Sequence, residues 1–250
     1  MIVTGLPAVL VGGAIFVMLT DRPEQAHWLS ADERQELIAS LGVSEPPRPS
    51  LRDGLTNFWS WNCAWIYFLL VCGGYGISFW MPTLFSRAGV ESAAEIGLLV
   101  VIPNLVGGIA MILLSRNSDR TQERRWHLSG CFVLGAIGYG IVAVAGTNIP
   151  VTLLGLSIAL AGILSAIPIS WTVPGRMLSP SATAVGIAII ASVGNLGGFA
   201  APVLMGKVSV TTGSLSGGFA IIGALLLLGA LWSAVTVRMP SPHLAGGAGR

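Results

Sequence analysis

Charge is what this chain has least of. Thirteen basic and eleven acidic residues make up only 10% of its 250 positions, against about 25% in typical soluble domains. A soluble fold of this size needs more polar surface than these residues supply, which excludes that class. The net charge of +2 is too small to argue for a nucleic-acid partner. Histidine occurs three times, as His27, His127 and His243, always in polar segments. No carboxylate pair or nucleophile–base set accompanies them, so the sequence does not read as a membrane enzyme. The three cysteines, Cys63, Cys72 and Cys131, lie inside apolar runs at no metal-ligand spacing. They read as small packing residues rather than disulfides, and nothing calls for a metal or cofactor.

What is abundant is apolar sequence, with 53% hydrophobic residues and a mean hydropathy of +0.78. A bilayer core about 30 Å thick needs roughly 20 apolar residues in a helix. Seven runs qualify: Ile2–Leu19, Cys63–Leu84, Ile96–Leu114, Leu128–Gly146, Val151–Trp171, Ala182–Met205 and Gly217–Val237. None contains Asp, Glu, Lys, Arg or His. The runs are continuous and do not alternate like barrel strands, so the expected fold is an all-α integral membrane protein with seven transmembrane helices. The first run lacks a basic start and an A-x-A-like cleavage site, and so reads as a span rather than a secretion signal.

Seven spans put the chain ends on opposite sides. Grouping residues 21–58, 115–127, 174–181 and the tail after Val237 collects eleven arginines on one side, leaving Arg87 and Lys207 on the other. The positive-inside rule makes the arginine-rich side cytoplasmic, with the amino terminus outside and a cytoplasmic tail over residues 239–250. A cell (inner) membrane location, with the lipid bilayer as first partner, follows. Residues 21–58 form a cytoplasmic linker after a leading span at 1–20. In it "SADERQEL" begins with a capping box of Ser30 and Glu33, predicting a short amphipathic helix to about Leu41. "VSEPPRPS" then stiffens the connection as an extended linker.

The densest charge lies in "SRNSDRTQERRWH", residues 115–127, between two apolar runs. It resembles the G-x-x-x-D-R-x-G-R-R type loop motif of the major facilitator superfamily, with Asp119, Arg120, Arg124 and Arg125 matching. Ser115 and Gln122 stand where that pattern has glycines. "DRPEQAHWLSADERQEL", "YGISFWMPTLF" and "SVGNLGGFAAPVLMG" are similar to segments of the anion:cation symporter family within that superfamily. The resemblance covers residues 1–237. It implies that residues 1–20 are the last helix of an amino-terminal half, and that 59–238 are the six-helix carboxyl-terminal half-bundle. Physically, Asp119 can pair with Arg120 or Arg124, or with a neighbouring helix end, in one conformation only. That is a latch, whereas the alternative makes these arginines topology anchors.

Solutes are expected near the midplane on inward-turned polar or aromatic groups. Tyr75, Ser78 and Phe79 share a helix face at i, i+3, i+4 beside Trp80. Asn104 follows Pro103, whose missing N–H frees a carbonyl in mid-span. Ser170 and Trp171 follow Pro168, and Asn195 lies between small residues. Gly194 and Gly198 form G-x-x-x-G, so Asn195 reads either as a ligand contact or as an interhelical hydrogen bond at a tight crossing. Trp80 and Trp171 read equally as interfacial belt residues. The resemblance raises Tyr75, Trp171 and Asn195 as cavity residues. It also implies secondary transport of a small organic anion, a carboxylate, proton- or cation-coupled once an amino-terminal half completes the fold. With no charge in any span, the alternative is a truncated, non-transporting remnant or scaffold.

Overall fold

The computed structural model of the chain describes residues 2–18, 26, 28–41 and 49–238, which fall into two compact units, Met1–Pro47 and Arg48–Arg250. In the first unit, α1 (Ile2–Met18) is an apolar helix of 17 residues, at the short end of what crosses a bilayer. The second helix, α2 (Ala31–Leu41), starts at the expected capping box. The Glu33 amide donates to Ser30 Oγ at 3.3 Å, and the Ser30 amide and hydroxyl both reach Glu33 Oε2, at 3.1 and 2.8 Å. These bonds hold the Glu33 carboxyl below the usual carboxylate range.

The second unit contains α3 (Leu51–Thr56), α4 (Phe58–Arg87), α5 (Ala93–Thr121), α6 (Arg125–Ala145) and α7 (Ile149–Trp171), then α8 (Pro174–Met177), α9 (Pro180–Asn195), α10 (Gly197–Thr212) and α11 (Ser216–Thr236). Six stretches of described helix in this unit are long and apolar enough to cross a membrane, and they coincide with the last six apolar runs. Side-chain oxygens begin several helices where free amides need acceptors. Asn57 Oδ1 accepts from the Trp59 amide at 2.8 Å, and Asn148 Oδ1 from the Val151 amide at 3.1 Å.

The run Ala182–Met205, expected as one helix, is two. The chain breaks at Leu196, whose amide turns to the Val193 carbonyl at 3.2 Å, three residues back rather than four. Gly194, Gly197 and Gly198 weaken helix propensity around the break. At Gly197 a Cβ would stand 2.6 Å from the Phe68 carbonyl oxygen, so α10 begins pressed against the backbone of α4.

Around the bundle, α7 packs on α5, α6 and α4; α11 joins α6 to α4; and α4 carries α9 and α10. Lipid offers no hydrophobic drive between helices, so close packing of small residues must hold them. The α6–α7 seam shows this. A Cβ on Gly138 would lie 2.5 Å from the Gly155 carbonyl, and one on Gly162 would lie 2.5 Å from the Gly135 amide. Tyr139, fully buried, donates its hydroxyl to the Gly73 carbonyl at 2.5 Å and packs on Phe219 with centroids 5.4 Å apart. A hydroxyl at this depth has no water to bond, so that carbonyl fixes α6 to α4. All three cysteines are buried and free, as small packing residues are.

Candidate functional site

The arginine-rich turn joins α5 to α6. Arg124 is buried to 5% exposure. Its Nη2 lies 2.7 Å from Asp119 Oδ1, and its Nη1 donates to Ser118 Oγ at 3.0 Å. Ser118 in turn donates to the Glu123 carbonyl at 2.8 Å. Of the partners open to Asp119, the structure selects Arg124, not Arg120, which is exposed. Arg125 donates from Nε to the Ala234 carbonyl of α11, and its guanidinium stands 4.6 Å from the Trp126 ring centroid.

Gln122 takes the left-handed conformation, φ 54°, that a glycine would favour at this place. Its side chain ties the turn in two directions. Nε2 donates to the Asp119 carbonyl at 2.6 Å, and Oε1 accepts from Arg176 Nη2 at 2.5 Å. The turn therefore keeps its tight shape without glycine. At the same end, Ser181 accepts the Ser50 amide on its carbonyl at 2.9 Å and donates Oγ to Asp53 at 2.8 Å, tying α3 to the start of α9. Partial burial by itself raises the Glu123 carboxyl. The Trp126 amide, the His127 ring and the His127 amide outweigh it and hold the carboxyl below the usual range.

The expected cavity residues divide into two groups. Tyr75 and Phe79 are 53% and 63% exposed, and Ser78 is exposed beside them, on one stripe of α4. Tyr75 lies against Gly198, 3.3 Å from where its Cβ would be, which brings the tyrosine to the α9–α10 break and within about one turn of Asn195. Asn195 is exposed and donates to the Ala191 carbonyl of its own helix at 2.7 Å. The interhelical hydrogen bond expected as one reading of Asn195 is therefore absent, because the tight crossing is made by the glycines and the amide faces away from it. Asn104 is also exposed, on α5, and donates to the Val100 carbonyl at 2.8 Å.

The other group is turned inward. Trp80 is half-buried and covers Gly206. Ser170 is buried and donates to the Ile167 carbonyl at 2.7 Å. Trp171 meets Tyr67 edge-on at 5.0 Å. Beside Ser170, Trp171 and Tyr67 is a space of only about 10 Å³, room for one water at most. Tyr67 escaped the sequence reading, although it holds Trp171 and lies over Gly194. An aromatic inside a continuous apolar run carries no signal of its own; only its packing on Trp171 and Gly194 across the seam gives it a role.

The sequence profile of the Major Facilitator Superfamily matches residues 1–202 and 90–249. A putative tartrate transporter of Agrobacterium vitis is 36% identical over 241 residues, covering 95% of this chain and 53% of the relative. The putative metabolite transport protein NicT of Pseudomonas putida is 35% identical, covering 89% and 52%. A quinolone resistance transporter of Acinetobacter baumannii is 32% identical, covering 91% and 54%. The chain thus spans about half the length of the curated relatives it matches. Six apolar spanning helices, the Asp119–Arg124 turn and these matches together lead to one assignment: the chain is a multi-pass membrane protein that belongs to the Major Facilitator Superfamily.

Proposed function

We propose that this chain supplies the carboxyl-terminal half of a secondary transporter of the anion:cation symporter type, carrying a small carboxylate when an amino-terminal half completes it. The observation that carries this reading is the exposed stripe of Tyr75, Ser78 and Phe79 beside Asn195. A tyrosine and an amide on the outside of an apolar bundle are costly against lipid and useful against a solute. The name of the Agrobacterium vitis relative supports a carboxylate. The charge that neutralises it and the proton or cation coupling come from the completing half, because the six spans of this unit hold no ionisable group but tyrosine and cysteine at their apolar centres. The Asp119–Arg124 pair closes the arginine-rich end in one access state, and that end faces the cytoplasm.

Labelled tartrate uptake into liposomes under an imposed pH gradient tests the reading. The chain alone should give none. Together with the amino-terminal half of the Agrobacterium vitis relative it should give uptake that a protonophore abolishes and Tyr75→Ala or Asn195→Ala lowers about tenfold. Asp119→Asn should leave insertion intact and alter cysteine-probe access to position 78. Protonophore-sensitive uptake by the chain alone would sink the reading. For orientation, alkaline phosphatase fused after Ser86 should be active and after Arg120 silent; the reverse overturns it.

A further inference from the structure

The bundle is not closed all round. α5 and α6 both lie along α7 but make almost no contact with each other beyond their connecting turn. A crevice of about 360 Å³ separates them. Its walls are apolar over most of their height, with Leu114 on α5 facing Gly130, Cys131 and Leu134 on α6. Both walls belong to membrane-spanning helices, so lipid is what fills the space outside.

At the turn end the lining changes character. Asn117 Nδ2 lies 3.1 Å from His127 Nε2 across the crevice, and His127 Nδ1 lies 3.1 Å from Glu123 Oε2. Glu123 also accepts the amides of Trp126 and His127, so the carboxylate is fixed and the ring is fixed by it. With Nδ1–H donated to the carboxylate, Nε2 accepts one N–H of the Asn117 amide and holds it in place, leaving the second Asn117 N–H free. Leu114 and Leu128 end the two apolar runs, which puts Asn117 and His127 at headgroup depth, with exposed Trp126 beside them. The local charge is positive. Arg116, Arg120, Arg124 and Arg125 stand against Asp119 and Glu123, Asp119 is taken up by Arg124, and exposed Arg120 lies one turn from Asn117 on the same helix.

We propose that this crevice is a binding site for one glycerophospholipid with an anionic headgroup. An acyl chain lies between Leu114 and Leu134 over Gly130. The headgroup phosphate meets the second N–H of the Asn117 amide, and the charge of Arg120, one turn along the same helix, draws it there. An apolar slot capped by a held amide donor and a net positive charge fits a lipid anion. A soluble anion has no use for the slot, and an uncharged lipid none for the donors. The lipid also takes the place of the missing α5–α6 contact, in the turn that carries the Asp119–Arg124 pair.

Gly130 makes the site testable, because a Cβ there meets nothing within 4 Å. Gly130→Leu therefore fills the crevice without displacing a neighbour, and Asn117→Ala removes a donor at an exposed position. Native mass spectrometry of the 250-residue chain would compare palmitoyl-oleoyl phosphatidylglycerol, diacylglycerol with the same chains, and glycerol 3-phosphate. Wild type should retain one phosphatidylglycerol and neither of the others. Each variant should retain it about tenfold less, the loss expected for one charge-assisted contact or one blocked chain. Circular dichroism would check that Gly130→Leu folds; if it does not, Asn117→Ala decides. Equal retention by wild type and the folded variants overturns the site. Equal retention of diacylglycerol removes the role of the phosphate, and capture of glycerol 3-phosphate alone removes the lipid.

Discussion

Two seams in the six-helix unit are built from glycines, and they are built differently. Along α6–α7 the glycines face backbone. Gly138 meets the Gly155 carbonyl and Gly162 the Gly135 amide. Along α4 and α9–α10 they mostly face rings. Gly194 lies under Tyr67, Gly198 under Tyr75 and Gly206 under Trp80. Backbone in a helix cannot move aside without breaking its own hydrogen bonds, whereas a ring can turn about χ1 and χ2. The first seam is a fixed frame. The second lets its partners shift, and it is fixed to the α4 backbone chiefly where Gly197 meets Phe68, next to the break at Leu196. Tyr75 and Asn195, two of the exposed groups proposed for the solute face, lie on the second seam.

The sharpest test of the contrast is a methyl group on each side. Gly138→Ala or Gly162→Ala should cost about 3 kcal/mol or more, because the added Cβ overlaps main-chain atoms that have nowhere to go. Thermal unfolding in detergent should show either variant losing its folded transition well below wild type. If both melt within a few degrees of wild type, the frame is softer than its geometry.

Gly194→Ala should cost less, about 1–2 kcal/mol, since the methyl group overlaps only Tyr67 side-chain atoms, Cδ1 foremost and Cγ at 3.1 Å, and the ring can turn aside. Its loss should also be rescued. In the Gly194→Ala, Tyr67→Ala pair the second change removes what the first collides with, so the two costs should not add. No side-chain truncation can rescue Gly138→Ala in the same way. A fully additive cycle at Gly194 and Tyr67 would erase the distinction between the seams.

The positions of the six spans in the second unit were legible in the sequence, because continuous apolar runs report them directly. The Asp119 partner was narrowed to Arg120, Arg124 or a neighbouring helix end but not chosen, since which of them comes within reach depends on how the turn bends. Gln122 was the difficulty there. A glycine-like φ on a residue with a side chain cannot be read from the pattern, and neither can its bonds to Asp119 and Arg176, which need the fold first. The break at Leu196 was hidden for a similar reason. Gly194 and Gly198 beside it read as a crossing motif, and only the approach of Phe68 to Gly197 shows that a helix also ends there. Tyr67 and the Asn117–His127–Glu123 bridge depend on pairs of helices meeting, or failing to meet, which a single sequence does not encode locally.

The smallest effect is expected at Glu123, and it asks whether the fixed frame reaches the charged end of α6. Arg124, which precedes that helix, gives no side-chain cap. Glu123 supplies one instead, accepting the Trp126 amide at 2.9 Å and the His127 amide at 3.2 Å. Its carboxyl is held below the usual range, so the folded protein binds that proton less readily than the unfolded chain does. The contribution is therefore complete above the ordinary carboxylate value of about 4 and is lost as pH falls through the lower, folded value. Glu123→Gln keeps an acceptor but loses the charge, and should cost about 1 kcal/mol or less at neutral pH while flattening this part of the acid dependence. Amide exchange can tell where the loss is felt. Residues 126–128 should lose protection on acidification, while 135–139, locked against α7, should not. Parallel loss at both places would mean that the turn and the α6–α7 seam open as one unit, and that the fixed frame has no separate charged end.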